Sequence, residues 1–563
     1  MYTIQENVLI VIALLKEFGI NKIVINPGGT NIPIVQAIQN DPYFKCYSVP
    51  DERSAIYFAI GLYLQSGEII ATSCTSAQAT RNYIPGLTEA FYKHVPILAI
   101  TTSKLERYDF QEYMQAPIQC SLPTDSVKRT FDLPLITDEN SRSLCMNRAK
   151  SAFLELMHRV PGPIQLNIRI NDKFQGEFEN KSLPSINMTR RYMAWDDWEG
   201  LNLSGKRVLV IIGEHRVFSS RQKNALEGFC SKNNAVVYTN HLSNYQGDYS
   251  LQGNLLVSCG YFKELKPDVV ISIGGQTGDY SLFGVLSRSS GYEHWRVSEE
   301  GDLVDTYNCL TKIFECPDFF FFEKIGGNDA CDHNYFNSWL NAYRKLNLED
   351  IILPFSNIYV AQKLYSLIPK NSIMNFAILN SLRCWNYFPL DSSISCYANV
   401  GAFGIDGCNS MLFGESVNTD NLCFIVTGDL AFFYDMNALG IRHLKNNIRV
   451  LLINNNGGVE FKIMTQNWNF DLDVEKYVSA NGHNGNARGW AENCGFEYIY
   501  ANNKEQFDLQ QEKFLENNSK PILFEIFTSY VDEPKAINDF LNANMLVSSK
   551  SRVKNALKSL IGK

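Results

Sequence analysis

Two short polar clusters, each directly behind an apolar run, constrain this chain most. Residues 422–426 read as a buried strand that ends in Thr427-Gly428-Asp429-Leu430. A helical stretch over 431–444 follows, and a second apolar strand, 449–453, ends in Asn454-Asn455-Asn456-Gly457-Gly458. Strand–helix–strand spacing of this kind builds a parallel βαβ unit, so both clusters fall at the carboxyl ends of strands, where open α/β sheets bind ligands. Asp429 and Asn455 are 26 residues apart (455 − 429). One carboxylate, one side-chain amide and one free loop carbonyl suit a Mg²⁺ ion that already carries a diphosphate. Gly-Asp alone merely ends strands, and an Asn run alone is commonly a turn. The two together, at this spacing, are far more specific.

A second constellation lies near the N-terminus. Asp51-Glu52-Arg53-Ser54-Ala55 opens a helical stretch that runs through Leu64. A strand over 69–73, then Cys74-Thr75-Ser76, a second helix and another strand over 95–100 follow. Taken alone, Glu52 is an ordinary first-turn acid, favoured by the positive end of the helix dipole.

Three blocks emerge. Residues 1–185 alternate helix and strand, with strands expected at 23–27, 69–73, 97–101 and 163–168. The polar segment 180–193 reads as a linker. Residues 195–345 look Rossmann-like, with strands at 207–213, 235–239 and 269–274, yet lack Gly-x-Gly-x-x-Gly, so no nucleotide chemistry is expected there. Residues 350–563 carry the metal motif and a last strand at 522–527, with a helical basic tail after Asp532. The fold class is α/β, with three doubly wound parallel-sheet domains. No direct sequence repeat links the first and third blocks.

Composition narrows the partners. Lys+Arg 51 against Asp+Glu 59 gives a formal charge of −8, which supports neither a nucleic acid nor an anionic membrane as partner. The 14 Cys are scattered without a Cys-x-x-Cys pair, as expected for reduced thiols of a cytoplasmic protein. The eight His form no cluster with metal-ligand spacing. The apolar run 8–15 follows Glu6 and lacks a basic flank, so it reads as a core helix rather than a leader. No run approaches a transmembrane length.

The Gly-Asp … Asn-Asn pair and the Glu52 segment together resemble thiamine diphosphate-dependent enzymes. The nearest resemblance is to the menaquinone-pathway synthases that join 2-oxoglutarate to isochorismate (SEPHCHC synthases). Three stretches carry it: Asp51–Ala55 with Thr75-Ser76, the string Asn399-Val400-Gly401-Ala402-Phe403-Gly404-Ile405-Asp406-Gly407, and the segment 428–458. The resemblance implies a pyrimidine-binding domain, a central domain and a diphosphate-binding domain. It implies thiamine diphosphate and Mg²⁺ as cofactors. Gly428, Asp429, Leu430, Asn455 and Gly457 would bind the diphosphate, with the metal on Asp429, Asn455 and the Gly457 carbonyl. Ile405 would be the wedge that bends the coenzyme, and the Gly404 carbonyl would accept from its amino nitrogen. Glu52 would bond the aminopyrimidine edge and stabilise its imino tautomer, so that no separate side-chain base is needed for the first proton. Gln111 would stand near the reacting carbon.

The departures concern charge. Where the synthases carry substrate-binding arginines, this chain has Thr30, Val400 and Trp385, with Arg383 close by. A Lys-Arg pair of the middle domain falls at Asp279-Tyr280, and an Ile-Phe pair becomes Glu460-Phe461. Thr30, Ser381, Arg383, Glu460 and Phe461 are the candidate substrate residues. Each lost charge-assisted bond to a carboxylate is worth roughly 1.5–3 kcal/mol, and Glu460 would add repulsion. The expectation is therefore a decarboxylase and carboligase that acts on a 2-oxo acid such as pyruvate, with a carbonyl acceptor less anionic than isochorismate. The alternatives are the authentic synthase with relocated arginines (Arg383 or Arg107), a simple 2-oxo acid decarboxylase, an FAD-dependent carboligase, and a catalytically silent subunit. The family's shared site implies a homodimer or homotetramer, and the polar loop 463–488 is a candidate lid.

Overall fold

The computed structural model describes residues 1–179, 182–325, 331–465, 473 and 475–546. The chain forms two compact units. The first takes up Met1–Tyr192 and Glu300–Ile313; the second takes up Met193–Glu299 and what is described from Phe314 onward.

The first unit is built on a parallel sheet of six strands: β1 (Lys22–Ile25), β2 (Lys45–Ser48), β3 (Ile70–Cys74), β4 (Ile97–Ser103), β5 (Thr130–Leu133) and β6 (Ile164–Arg169). Their spatial order is β2-β1-β3-β4-β6-β5. β3 and β4 are buried along their whole length, as strands covered on both faces must be. Successive side chains point to opposite faces. Ala71, Leu98 and Ile100 pack under the helix Glu6–Glu17, which holds the apolar run 8–15. Ile70, Cys74, Ile97 and Ala99 pack against helix α1 (Glu52–Ser66) through Ala55, Ile56, Ala59 and Ile60.

The second unit contains two further sheets. One is a seven-stranded sheet in which five parallel strands, β7 (Val208–Ile212), β8 (Ala235–Thr239), β9 (Ser250–Gln252), β10 (Val269–Ile273) and β11 (Glu293–Ser298), are consecutive neighbours in the order β9-β8-β7-β10-β11. The place where its connections diverge, between β7 and β10, is closed by backbone. Gly213 N donates to Ile273 O at 3.0 Å, Gly275 N to Glu214 O at 2.8 Å and Glu214 N to Gln276 O at 2.9 Å. A side chain on Gly213 would collide with the Gly275 carbonyl.

The other sheet has six strands: β12 (Ile373–Phe376), β13 (Ser395–Ala398), β14 (Cys423–Gly428), β15 (Ile448–Asn454), β16 (Glu497–Ala501) and β17 (Ile522–Phe527), ordered β13-β12-β14-β15-β17-β16. Counted along the chain, this order (second, first, third, fourth, sixth, fifth) is that of the first unit's sheet. The repeat is structural, and no sequence repeat announces it. On this sheet stand α2 (Asn380–Trp385), α3 (Asp429–Tyr434) and α4 (Val459–Thr465).

Three local expectations change. The helix expected over 431–444 stops at Tyr434 and resumes as a 3₁₀ turn, Met436–Gly440. Asp435 breaks it: its carboxylate accepts from Ser410 N and Ser410 Oγ, both at 2.7 Å, and its backbone leaves helical geometry. The expected linker 180–193 ends in a strand, Arg190–Met193, and residues 180 and 181 lie outside the described residues. Of the basic tail, the helix Asp532–Asn544 is seen, and 547–563 lie outside the described residues. All 14 cysteines are free thiols, nine of them buried. No described helix is long and apolar enough to cross a membrane.

The Pro27-Gly28-Gly29-Thr30 turn after β1 packs on the Thr75 loop after β3. Gly28 has φ +150°, and a Cβ there would overlap the Thr75 side chain. Gly28→Ala therefore should destabilise the first unit by about 2 kcal/mol or more. A melting temperature equal to that of the unaltered protein contradicts this packing.

Candidate coenzyme site

In the first unit, Glu52 begins α1. Asp51 caps the helix, accepting from Ser54 N at 2.9 Å. The Glu52 carboxylate is half-buried and accepts from Asn82 Nδ2 at 3.3 Å. Thr30, an expected substrate contact, points inward. It is 3% exposed, and its hydroxyl lies 2.8 Å from both Thr75 Oγ1 and Thr102 Oγ1 while accepting from Ser76 N at 3.0 Å. That hydroxyl ties the loops after β1 and β3 to the end of β4.

Gln111 is exposed, in the loop after β4. Phe110, Glu112 and Gln115 in this loop all have left-handed φ (61°, 55° and 59°), a conformation that non-glycine residues adopt only when their surroundings hold them. The base of the loop is held by two groups that the sequence reading missed. Arg169, at the end of β6, donates through Nη1 to both oxygens of Asp109 (3.0 Å) and through Nη2 to Asp132 (2.8 Å). Gln119 donates to Thr102 O (3.0 Å) and Asn167 Oδ1 (2.9 Å) and accepts from Ala77 N (2.8 Å).

In the second unit, Gly428 ends β14 and Asp429 opens α3. Asp429 is 2% exposed. Its Oδ1 accepts from Leu430 N at 2.7 Å; its Oδ2 accepts from Asn455 N at 3.1 Å and Gly457 N at 2.9 Å. His483 Nε2 lies 3.1 Å from the same oxygen. Burial raises the Asp429 pKa, while His483 and the backbone donors of Leu430 and Gly457 oppose that rise.

The three asparagines divide their work. Asn454 donates to Glu525 Oε1 at 2.7 Å and Gly485 O at 3.0 Å, so its amide is structural. Asn456 turns the chain with φ +67°. Asn455 is 4% exposed, and its Oδ1 is buried with no hydrogen-bond partner. An orphaned buried amide oxygen beside a buried carboxylate is the donor set that a hard divalent ion requires. Gly457, with φ +157°, lets this loop meet residues 479–481, where a Cβ would lie 2.7 Å from Asn481 Cα.

The candidate lid thus splits. Gly458 N donates to Ser479 O (2.6 Å) and Gly482 N to Asn456 O (2.9 Å), so 479–485 packs on the Asn-Gly loop. Residues 466–472 and 474 lie outside the described residues.

Around this centre, Ile405 is half-buried against the apolar core beneath β14 and β15. Phe403, just before Gly404, has φ +59°. Ser381 is buried on α2, and Phe461 is 37% exposed. Glu460 corrects an expectation: it brings no repulsion. Its oxygens accept from Arg383 Nη1 and Nη2, both at 2.7 Å, so its charge is matched. Elsewhere among the described residues, Glu155, His158 and Asp302 could share a metal ion. Lys128 already stands on that group, its Nζ 3.2 Å from Glu155 Oε1.

The parallel sheet, the buried Asp429 and the orphaned Asn455 amide together fit a magnesium-diphosphate coenzyme. Residues 8–122 match the family model for the thiamine pyrophosphate enzyme N-terminal TPP binding domain. The 2-succinyl-5-enolpyruvyl-6-hydroxy-3-cyclohexene-1-carboxylate synthase of Bacteroides fragilis is 31% identical over 570 residues, covering 96% of this chain and 99% of the relative. The like-named protein of Bacteroides thetaiotaomicron is 31% identical with the same coverage. That of Christiangramia forsetii is 28% identical over 94% of this chain and 96% of its own. The chain is a thiamine diphosphate-dependent enzyme that works with a divalent metal such as Mg²⁺. Within that class it belongs to the 2-succinyl-5-enolpyruvyl-6-hydroxy-3-cyclohexene-1-carboxylate synthase family.

Two predictions follow from this geometry. Asn455→Ala removes the orphaned oxygen and should weaken magnesium-dependent coenzyme binding by at least tenfold, about 1.4 kcal/mol. Unchanged binding in a calorimetric titration would refute the donor set.

The second concerns Glu533, fully buried behind the same loop. Its Oε1 accepts from Thr528 Oγ1 (2.7 Å) and Asn357 N (2.9 Å), and Thr528 N in turn donates to Asn454 O (3.0 Å). Burial lifts its pKa from 4.5 to about 7. Between these values the folded chain keeps a proton that the unfolded chain releases. The contribution is complete below pH 4.5 and is lost as pH rises through about 7. Glu533→Gln should flatten that slope, by roughly 3 kcal/mol across the window. Identical pH–stability curves for the two proteins rule it out.

Proposed function

We propose that the chain decarboxylates a 2-oxo acid and transfers the remaining acyl unit to an acceptor, forming a C–C bond. The donor is 2-oxoglutarate, which supplies the succinyl group named in its relatives. The observation that carries this reading is the near end-to-end likeness to those synthases, joined to the orphaned Asn455 amide beside Asp429. When bound, the coenzyme supplies the electron sink for the departing carbon dioxide. Asp429, Asn455 and the Gly457 carbonyl hold the ion that fixes its diphosphate. Gly428 and Leu430 flank that anchor. Ile405 shapes the coenzyme from below, the Gly404 carbonyl accepts its amino N–H, and Glu52 holds a proton at its pyrimidine edge. Gln111 binds the substrate carboxylate. Among the described residues Arg107, on the same loop, forms no ion pair; it is exposed, and its Nη2 meets Tyr108 Oη at 2.6 Å. It is a cation still available to an anionic substrate.

A second reading, an acceptor less anionic than isochorismate, rests on one observation: Arg383 is already bound to Glu460. For assembly we propose a homodimer or a homotetramer. Large apolar side chains on the first unit's surface support it: Tyr57 and Leu64 on α1 are 47% and 65% exposed, and Tyr92 is 66% exposed.

The test supplies purified protein, thiamine diphosphate and Mg²⁺ with 2-oxoglutarate or pyruvate, each with and without isochorismate. Carbon dioxide release from 2-oxoglutarate and a succinylated product are expected. Carbon dioxide release from pyruvate but not from 2-oxoglutarate overturns the donor assignment, and free aldehyde as sole product overturns the acyl transfer. Product from 2-oxoglutarate with hydroxylated carbonyl acceptors, but not with isochorismate, selects the second reading.

A further inference from the structure

Arg383 lies on α2, directly after β12, and β12 pairs with β14, the strand that ends in Gly428. Glu460 lies in the first turn of α4, two residues beyond Gly458 of the Asn-Gly loop. Both stand at the carboxyl end of the sheet that carries the coenzyme site. Arg383 Nη1 donates to Glu460 Oε2 and Nη2 to Oε1, each at 2.7 Å. This is the parallel two-bond fork in which guanidinium groups bind free carboxylates. Glu460 is 7% exposed, while a quarter of the Arg383 side chain (24%) still meets solvent.

We propose that Glu460 is a specificity-determining residue, a built-in carboxylate that fills the Arg383 fork and thereby bars substrate carboxylates from it. The remaining surroundings agree. Arg383 borders a cavity of about 30 Å³, room for one or two waters, lined also by Asn254, Ser258, Tyr280, Ser281 and Tyr387. Arg383 is the one cation among those lining residues. The one carboxylate there, Asp279, is consumed by its own structure. It accepts from Tyr238 Oη, from Asn254 Nδ2 at 2.8 Å, and from Ser281 N and Leu282 N at 2.9 and 3.1 Å, capping the helix Tyr280–Ser287. With the fork filled, the wall offers hydroxyls and amides but no free positive charge. Such a border can hydrogen-bond a hydroxyl but gives a carboxylate no counter-charge. Swinging Glu460 aside would leave two buried charges unmatched, so the fork stays filled.

This inference rests on the reading that the coenzyme site lies at this end of the sheet, and the experiment separates the two. Holoenzyme loaded with thiamine diphosphate and Mg²⁺ is titrated calorimetrically with succinate as a plain carboxylate probe. Coenzyme affinity is measured on the same preparations. Glu460→Ala should bind succinate on the order of ten- to a hundredfold more tightly than the unaltered protein. The double variant Arg383→Met/Glu460→Ala should lose that gain. Coenzyme affinity should stay within a few-fold throughout, and its loss in the unaltered protein would sink the site reading instead. Glu460→Gln preserves volume while removing the charge, and it carries the same expectation if the alanine variant does not fold. No gain in succinate binding in either folded variant, or a gain that survives loss of Arg383, overturns the proposal.

Discussion

One carboxylate oxygen organises the candidate site. Asp429 Oδ2 gathers the backbone N–H groups of Asn455 and Gly457, so the loop after β15 is folded around the residue that ends β14. Each such bond to a charged acceptor contributes roughly 1.5–3 kcal/mol. Together they offset the cost of burying Asp429, and they pin the Asn455 side chain where its own oxygen finds no protein partner. The structure thus holds one polar atom unsatisfied by satisfying its neighbours. Without the backbone clasp, Asn455 would be free to turn its amide toward water or toward Glu525, as Asn454 does.

Behind this clasp the protein uses carboxyl groups as braces between elements. Glu525 joins Asn454, Ala487 N (3.0 Å) and Tyr498 Oη (2.8 Å). Glu533 joins the end of β17 to the start of the helix Asn357–Leu364 through Thr528 and Asn357. Burial raises both pKa values. Glu460 differs, because its partner is a guanidinium. The same residue type therefore acts as a strut among neutral donors in one place and as the partner of an arginine fork in another. Which of these a glutamate will be depends on its neighbours in space, and Arg383 and Glu460 are 77 positions apart in the chain.

That distance marks the limit of what could be read from residues alone. The buried strands were legible where they are long apolar runs between turn residues: β8 and β17 fall where expected and the other expected strands within two residues, whereas β2, β5, β9, β11, β12, β13 and β16 went unread. That Asp429 and Asn455 come together was legible because both sit at strand ends with a characteristic spacing. Glu460, however, was read as an unpaired charge and Thr30 as a substrate contact, since nothing in the sequence shows that Arg383 or Thr75 faces them. The helix over 431–444 failed for the same reason: Asp435 is a poor but tolerable helix residue until Ser410 supplies it with two better bonds. Arg169 and Gln119 gave no signal, being single polar residues, one at a strand end and one in a loop, whose partners lie far away in the chain.

The shared strand order of the first unit's sheet and the last sheet shows where function separates from fold. In both, the loops after the first, third and fourth strands emerge at the carboxyl end. In the first unit the loops after the first and third strands close on each other and on the end of the fourth strand through the hydroxyls of Thr30, Thr75 and Thr102, groups that both donate and accept and so satisfy one another. In the last sheet the corresponding loops carry Asp429 and Asn455. The carboxylate can only accept, and its demand for donors strips the adjoining backbone of N–H groups that would otherwise complete the turn. A hydroxyl network ends in mutual satisfaction, whereas an acceptor pair ends with an oxygen left over. The same topology therefore yields a sealed junction in one sheet and, in the other, a candidate site with an unsatisfied amide oxygen, by the donor–acceptor balance of a few loop side chains.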